Sequence, residues 1–227
     1  MIRGLAIETS SRIGSVALSE DGQTLCQETF PHGLQNAARI VPAIDALCRS
    51  LGWTSRDLEE IYVSAGPGSF TGLRIGITLA KTLAFAAGIP LVAVPSVRVL
   101  VENAPDDASN VVIVLDAKRD QIFTATFQRE NSGWIERRPA RLDSLANVLL
   151  ETPRPVYLLG EGIPYHEKFI PQNDPGIRLA DSELWRPRAQ VVARLGWQLA
   201  RQNQWVDPHV LVPIYIRRPE AEEKIGV

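Results

Sequence analysis

Ser64-Ala65-Gly66-Pro67-Gly68-Ser69-Phe70-Thr71-Gly72-Leu73-Arg74-Ile75-Gly76-Ile77 reads as a glycine-rich turn running straight into a helix. Glycine lets backbone N–H groups come close to a ligand or to another stretch of chain, and a helix start favours an anion. Beyond the turn, Gly72, Gly76, Ala80, Ala84 and Gly88 recur every four residues, so one side of the helix carries almost no side chain. Leu73, Ile75, Ile77, Leu79, Leu83 and Phe85 fill the other sides. A helix that is apolar nearly all round is buried on more than one side. The expectation is a helix shared between the chain's own core and a partner.

Upstream, Leu5–Glu8, Ile13–Leu18 and Leu25–Phe30 read as strands, the first two joined by the polar turn Thr9–Arg12. Leu34 to Leu51 predicts a helix, with Leu34, Ala37, Ala38, Val41, Ile44, Leu47 and Leu51 along one face. Ile61–Ser64 is a short buried strand, and Leu91–Val94 follows the apolar helix. The first half is therefore three strands, helix, strand, helix, strand. The second half repeats much of this order. Val111–Asp116 and Ile122–Gln128 pair around the turn Ala117–Gln121, Trp134–Arg137 is a weaker third strand, Leu142–Leu150 is a helix and Val156–Leu159 a strand. Ile7-Glu8 and Leu115-Asp116 each put a carboxylate at the end of a first strand. Tyr62-Val63-Ser64-Ala65-Gly66-Pro67-Gly68 and Tyr157-Leu158-Leu159-Gly160-Glu161-Gly162 each end a strand with GxG, but the later stretch lacks a long glycine-rich helix start. Pro187–Gln204 predicts a long helix. The polar stretch Asn103–Ser109 and the pair Asp207–Pro208 divide the chain into 1–103, 104–207 and a C-terminal segment 208–227.

Composition bounds the function. At 227 residues and 45% apolar content the chain can build real cores, and a net charge of −2 gives no global nucleic-acid signature. Cys26 and Cys48 form no CxxC pair; core packing and a reducing cytoplasm fit them. Met1-Ile2-Arg3-Gly4 leads into a strand without a signal-peptide layout. The apolar helix after Gly72 is interrupted by Arg74 and Lys81 and reads as too short for a membrane span. A cytoplasmic protein with no membrane contact is expected.

A duplicated strand-strand-strand-helix-strand unit, with an acidic residue after each first strand, resembles the actin-like ATPase (ASKHA, RNase H-like) α/β fold in two subdomains, the second degenerate. The combination of Leu5-Ala6-Ile7-Glu8-Thr9-Ser10-Ser11, the Ala65–Gly76 stretch, Leu115-Asp116-Ala117-Lys118-Arg119-Asp120-Gln121-Ile122 and Pro213-Ile214-Tyr215-Ile216-Arg217-Arg218 resembles the bacterial TsaB (YeaZ) family over essentially the whole chain. The resemblance implies a non-catalytic subunit for making N6-threonylcarbamoyladenosine at position 37 of tRNAs that read ANN codons. Its implied partners are the paralogous catalytic subunit TsaD, a small P-loop ATPase, TsaE, and tRNA through the complex, with a homodimer when alone. TsaD-like proteins carry an HxxxH metal pair after the apolar helix and next strand. The matching positions here are Ser96 and Leu100, and His32, His166 and His209 share no ligand spacing. No metal and no catalytic residue is therefore expected, and no cofactor in the isolated chain, with ATP or ADP reserved for the assembled complex.

Two readings stand for each candidate site. Glu8, Thr9, Ser10 and Ser11 form either a vestigial nucleotide-binding turn or a hairpin whose hydroxyls satisfy local backbone groups. Gly66–Gly72 either cradles an anion or caps the helix, with Ser69 or Thr71 accepting helix N–H bonds. Asp116, Lys118, Arg119 and Asp120 are either a second vestigial phosphate site or a solvated hairpin tip. Arg137, Arg138, Arg141, Arg186, Arg188, Arg194 and Arg201 either meet tRNA phosphates or form a solvated face balanced by acids. The expected docking surface is the helix pair Leu34–Leu51 and Thr71–Ala87, through Leu34, Ala38, Val41, Gly72, Leu73, Gly76, Ile77, Ala80, Leu83 and Ala84. The competing classes are an ATP-dependent kinase or carbamoyltransferase on the same fold, which needs a two-sided phosphate site and a base, and an M22-type glycoprotease-like hydrolase, for which no nucleophile is legible.

Overall fold

Side-chain alternation builds the first sheet. In β1 (Arg3–Glu8), Leu5 and Ile7 point to one face and Ala6 to the other. β2 (Ile13–Glu20) sets Val16 and Leu18 against Ala17 in the same way. These residues are all fully buried, because both faces of the sheet are covered. Each large aliphatic among them contributes at most about 1.5–3 kcal/mol. The first half continues with β3 (Gln23–Pro31), α1 (Gln35–Ser50), β4 (Glu60–Gly66), α2 (Phe70–Ala87), β5 (Leu91–Pro95) and α3 (Ser96–Val101). The second half runs β6 (Asn110–Ile113), β7 (Leu115–Asp116), β8 (Ile122–Glu130), β9 (Gly133–Asp143), α4 (Leu145–Glu151), β10 (Val156–Leu159), α5 (Ile163–His166), β11 (Ile177–Leu179) and α6 (Ala189–Arg201). This computed structural model describes residues 1–31, 35–131 and 133–217.

The first compact unit is Met1–Val99 with Pro187–Pro213. Its sheet has the order β3-β2-β1-β4-β5. β1–β2 and β2–β3 are antiparallel, and β1–β4 and β4–β5 are parallel. α1 and α2 cover one face: Ile40, Ala43, Ile44 and Cys48 share a core with Ile77, Ala80 and Ala84. α6 covers the other, setting Ala189, Val192, Ala193 and Ala200 against Ala6, Ala17 and Tyr62. Gly196 lets α6 sit directly on Tyr62, whose ring would overlap any side chain there. Tyr62 donates to Glu60 at 2.5 Å, and Arg201 of α6 pairs with the same buried carboxylate. Burial and the hydrogen bond to Glu60 push the Tyr62 phenol well above its ordinary range.

The second unit is Leu100–Arg186 with Ile214–Val227. Its sheet has the path β11-β10-β6-β8-β7, with β9 paired to β8. β6–β8 and β8–β9 are antiparallel, and β6–β10 and β10–β11 are parallel. Counting β6 and β7 as one interrupted first strand, the order is that of the first unit. The duplication legible in the sequence is therefore real, and the fold is the actin-like, RNase H-like one.

The structure corrects four boundaries and one exclusion. The helix expected in Pro187–Gln204 belongs to the first unit, and so does the chain on to Pro213, rather than to a subdomain 104–207. The first unit's sheet had an uncovered face, and α6's row of small apolar residues fits it. Val111–Asp116 breaks at Val114, whose N–H turns to the Leu159 carbonyl at 2.9 Å. The third strand of the second half is longer than Trp134–Arg137, reaching Asp143. The following helix starts only at Leu145, where Ser144 Oγ accepts the Asn147 N–H at 3.2 Å. Finally, α2 has 18 residues and, by length and composition alone, could cross a membrane. Its buried Gly72, Leu73, Gly76, Ile77, Ala80 and Ala84 are spent inside the first unit.

Candidate partner face and hairpin turns

Glu8 ends β1 with its side chain fully buried, not in an open polar turn. Its Oε1 accepts the Ser10 N–H at 2.5 Å and the Ser10 hydroxyl at 2.7 Å. Thr9, Ser10 and Ser11 are buried too. Ser11 donates to the Ile13 carbonyl at 2.9 Å, and Ser69 N–H donates to the Ser10 carbonyl at 2.7 Å. The Ser10 and Ser11 hydroxyls are thus used within the turn, whereas the buried Thr9 hydroxyl has no hydrogen-bond partner among the described residues.

The glycine row explains why this turn can lie so close to α2. A methyl group on Gly68 would fall within 3.0 Å of the Ser10 carbonyl oxygen. On Gly72 it would meet the Thr9 carbonyl oxygen, and on Gly76 the Thr9 hydroxyl, each inside the same limit. The bare side of the helix therefore faces the chain's own hairpin, not a partner. Ser69 caps α2, its Oγ accepting the Gly72 N–H at 3.3 Å, and Gly88 ends the helix with φ 67°.

Most of the expected interface residues are corrected by this packing. Gly72, Leu73, Gly76, Ile77, Ala80 and Ala84 are buried in the first unit, and Leu83 packs against its core. Four-residue spacing shows that one side of a helix is bare; it does not show what lies there. Leu34 falls outside the described residues. Ala38 and Val41 are exposed, Val41 at 54%. The outward side of α2 is Phe70, Thr71, Arg74, Thr78, Thr82 and Phe85. Phe70 is 39% exposed beneath the Arg74 guanidinium, and Phe85 is 71% exposed.

In the second unit Asp116 is held from three sides. Lys118 donates through its N–H at 3.1 Å and its Nζ at 2.5 Å, and His166 Nε2 lies 3.2 Å from Oδ1. Burial opposes the charge on Asp116, but these hydrogen bonds outweigh it and hold the carboxyl below its usual range. Lys118, Arg119 and Asp120 all take positive φ, near 60°. Arg217 donates to the Ala117 carbonyl and the Gln121 side chain, and so fastens this turn. His166 and Arg217 were not legible as its partners: each lies far off in sequence, with no spacing signal. Gly160, at φ 138°, and Gly162 pack against Val114 and Asp116 with no room for a Cβ.

In the first turn Glu8 Oε1 is taken up by Ser10, and in the second Asp116 is taken up by Lys118 and His166. Ser96 Oγ accepts the Gly66 N–H at 3.0 Å and Leu100 is buried. Among the described residues no three His, Cys, Asp or Glu side chains gather as a metal would need. Of the sequence's arginines, Arg137, Arg138, Arg141, Arg186 and Arg201 pair with acids.

A family model described as TsaD, tRNA N6-adenosine threonylcarbamoyltransferase, matches residues 34–225. The tRNA threonylcarbamoyladenosine biosynthesis protein TsaB of Bacillus subtilis (strain 168) is 33% identical over 226 residues, 97% of this chain and 96% of that protein. The chain belongs to the TsaB (YeaZ) family. The TsaB protein of Escherichia coli (strain K12) is 27% identical over 99% of this chain and 98% of its own length. The solved structure of YeaZ from Pseudomonas aeruginosa superposes with a TM-score of 0.82 at 25% identity, covering 95% of this chain and 100% of that one. These TsaB relatives, matched over nearly their whole length, are named for threonylcarbamoyladenosine biosynthesis.

Proposed function

We propose that this TsaB-family chain is a non-catalytic scaffold and activator in transfer of the threonylcarbamoyl group to N6 of adenosine 37 in tRNAs reading ANN codons. It acts by binding the catalytic paralogue TsaD. The observation that carries this reading is the outward side of α1 and α2, two helices on one sheet face that leave Val41, Phe70 and Phe85 exposed. The same two helices also expose the small residues Ala38, Ala46, Thr78 and Thr82, which would let a second helix pair approach closely. Desolvating the three large side chains supplies the drive. The same face pairs with a second copy when TsaD is absent. TsaE and tRNA join through the complex.

ATP or ADP belongs to the assembled complex rather than to the isolated chain, since each turn is filled by its own atoms. The buried Glu8 and the engaged Asp116 argue against a kinase or carbamoyltransferase working from one unit alone. Co-purification with TsaD tests the reading. Val41→Asp and Phe85→Asp are expected to abolish association at unchanged melting temperature, because both side chains already face solvent. Undiminished binding by both variants would show that the complex forms elsewhere.

A further inference from the structure

β9 pairs with β8 through two irregularities in register, on either side of Thr126. Thr126 faces Arg138 and Thr124 faces Arg141. Thr124 and Thr126 are two apart and share a face, so the extra residue between Arg138 and Arg141 brings both guanidinium groups to that same face. A regular strand would have sent them to opposite sides. Together with Arg137 they line a cavity of about 80 Å³, closed by Asn110, Thr126 and Glu151. That is room for a few waters or one group of similar bulk.

The cavity is short of acceptors. Arg141 gives Nε to Asp143 at 3.0 Å and Nη2 to Glu151 at 3.3 Å. Its buried Nη1 has no hydrogen-bond partner among the described residues. Among the described residues Arg138 reaches only Glu151, at 3.9 Å. A guanidinium carries five N–H donors in a fixed fork that matches two oxygens of one oxyanion. Glu151 is half exposed at the end of α4 and is the carboxylate shared by Arg138 and Arg141. An entering oxyanion would add the acceptors that Glu151 and Asp143 do not supply.

We propose that the cavity between β8, β9 and the end of α4 is a phosphate-binding site built on Arg138 and Arg141. The phosphate is either free or part of an RNA backbone. The RNA arm rests on the tRNA reading above; the free-phosphate arm does not, and both are measured on the isolated full-length chain without TsaD.

The experiment follows tRNA binding by fluorescence anisotropy across a salt series, and inorganic phosphate binding by calorimetry. Arg138→Gln is expected to fold, because that side chain is 61% exposed. It should flatten the log K against log salt slope for tRNA by about 0.7–0.9, the loss of one phosphate contact, and weaken binding about threefold. Glu151→Gln should act with the opposite sign, strengthening binding by removing the internal competitor. Arg138→Lys keeps the charge but loses the fork, and should fall between wild type and Arg138→Gln. If only inorganic phosphate responds to these variants, the site takes free phosphate. If neither probe responds to Arg138→Gln or Glu151→Gln, the proposal is wrong. Loss of TsaD association in Val41→Asp is a separate readout, so the two readings fail independently.

Discussion

Replacing Gly72 with Ala puts a methyl group against backbone, which cannot swing aside. The obstacle is the Thr9 carbonyl, with the Thr9 carbonyl carbon and Ser69 Oγ both 3.2 Å away. Overpacking of this kind costs typically about 1–3 kcal/mol, and a backbone obstacle belongs at the upper end. Gly to Ala in a helix returns up to about 1 kcal/mol. The net expectation is a loss of about 2 kcal/mol, or roughly 4–8 °C in melting temperature for a chain of this size. Gly76→Ala meets a different obstacle, the Thr9 hydroxyl, with Thr9 Cβ at 3.3 Å. That hydroxyl has no hydrogen-bond partner among the described residues, so Thr9→Ala alone should cost little. In the Thr9→Ala background Gly76→Ala should become neutral, whereas Gly72→Ala should remain fully destabilising, because the carbonyl is still there. Thr78→Ala, on the exposed side of the same helix, is the control and should stay within about 0.5 kcal/mol of wild type. Urea unfolding of the four single variants and two double variants reads all of this. If Gly72→Ala is as stable as wild type, or if Thr9→Ala rescues both glycine variants equally, the glycine row does not cradle the hairpin.

Two further outcomes follow from the turns. Glu8→Ala should destabilise the chain by about 1–3 kcal/mol, since it strips two hydrogen bonds from Ser10 in a fully buried setting; an unchanged urea midpoint would return Glu8 to an open turn. Asp116 has a lowered carboxyl pKa, so its contribution is complete above the unfolded value of about 3.9 and is lost as pH falls through the folded value. Asp116→Asn should therefore lower stability at neutral pH and shrink the loss below about pH 4, and since Asp143 and Asp174 are lowered in the same way, part of that acid loss should persist. Urea midpoints from pH 2 to 7 check the sign, and an acid limb as steep as wild type's would remove Asp116 from the account.

Periodicity carried the fold because burial on both sheet faces leaves a plain record. Leu5-Ala6-Ile7 and Val16-Ala17-Leu18 set large residues towards two helices and small ones towards a single close helix. The repeat of that order around Val111 and Val156 made the duplication visible. What the sequence left unsaid was always a destination. The pattern of α6 shows an apolar stripe, yet nothing local says that it returns to the first sheet. The glycine row of α2 shows a bare side, yet the hairpin that fills it lies some 60 residues earlier, at Thr9 and Ser10. His166 reaches Asp116 across 50 residues, a contact that no motif spacing encodes.

The two halves solve one packing problem with different means, and the difference bears on where a partner can bind. In both, glycines beyond the fourth strand press on the chain just past the first strand: Gly68, Gly72 and Gly76 on Thr9 and Ser10, Gly160 and Gly162 on Val114 and Asp116. In the first half those glycines begin a helix of 18 residues, and closing on the hairpin uses only one of its sides. In the second half α5 has 4 residues, and the Gly162 N–H itself goes to the Val114 carbonyl at 2.9 Å. A helix of one turn cannot both seal the hairpin and present a long outward face. The long α2 can, and its outward row from Phe70 to Phe85 is what remains once the glycine side is spent. The close fit of Gly72 and Gly76 fixes the position and rotation of the helix whose opposite side is exposed, and so would serve the proposed docking indirectly. That ordering predicts that Phe85→Asp disturbs association without stability, and Gly72→Ala stability first.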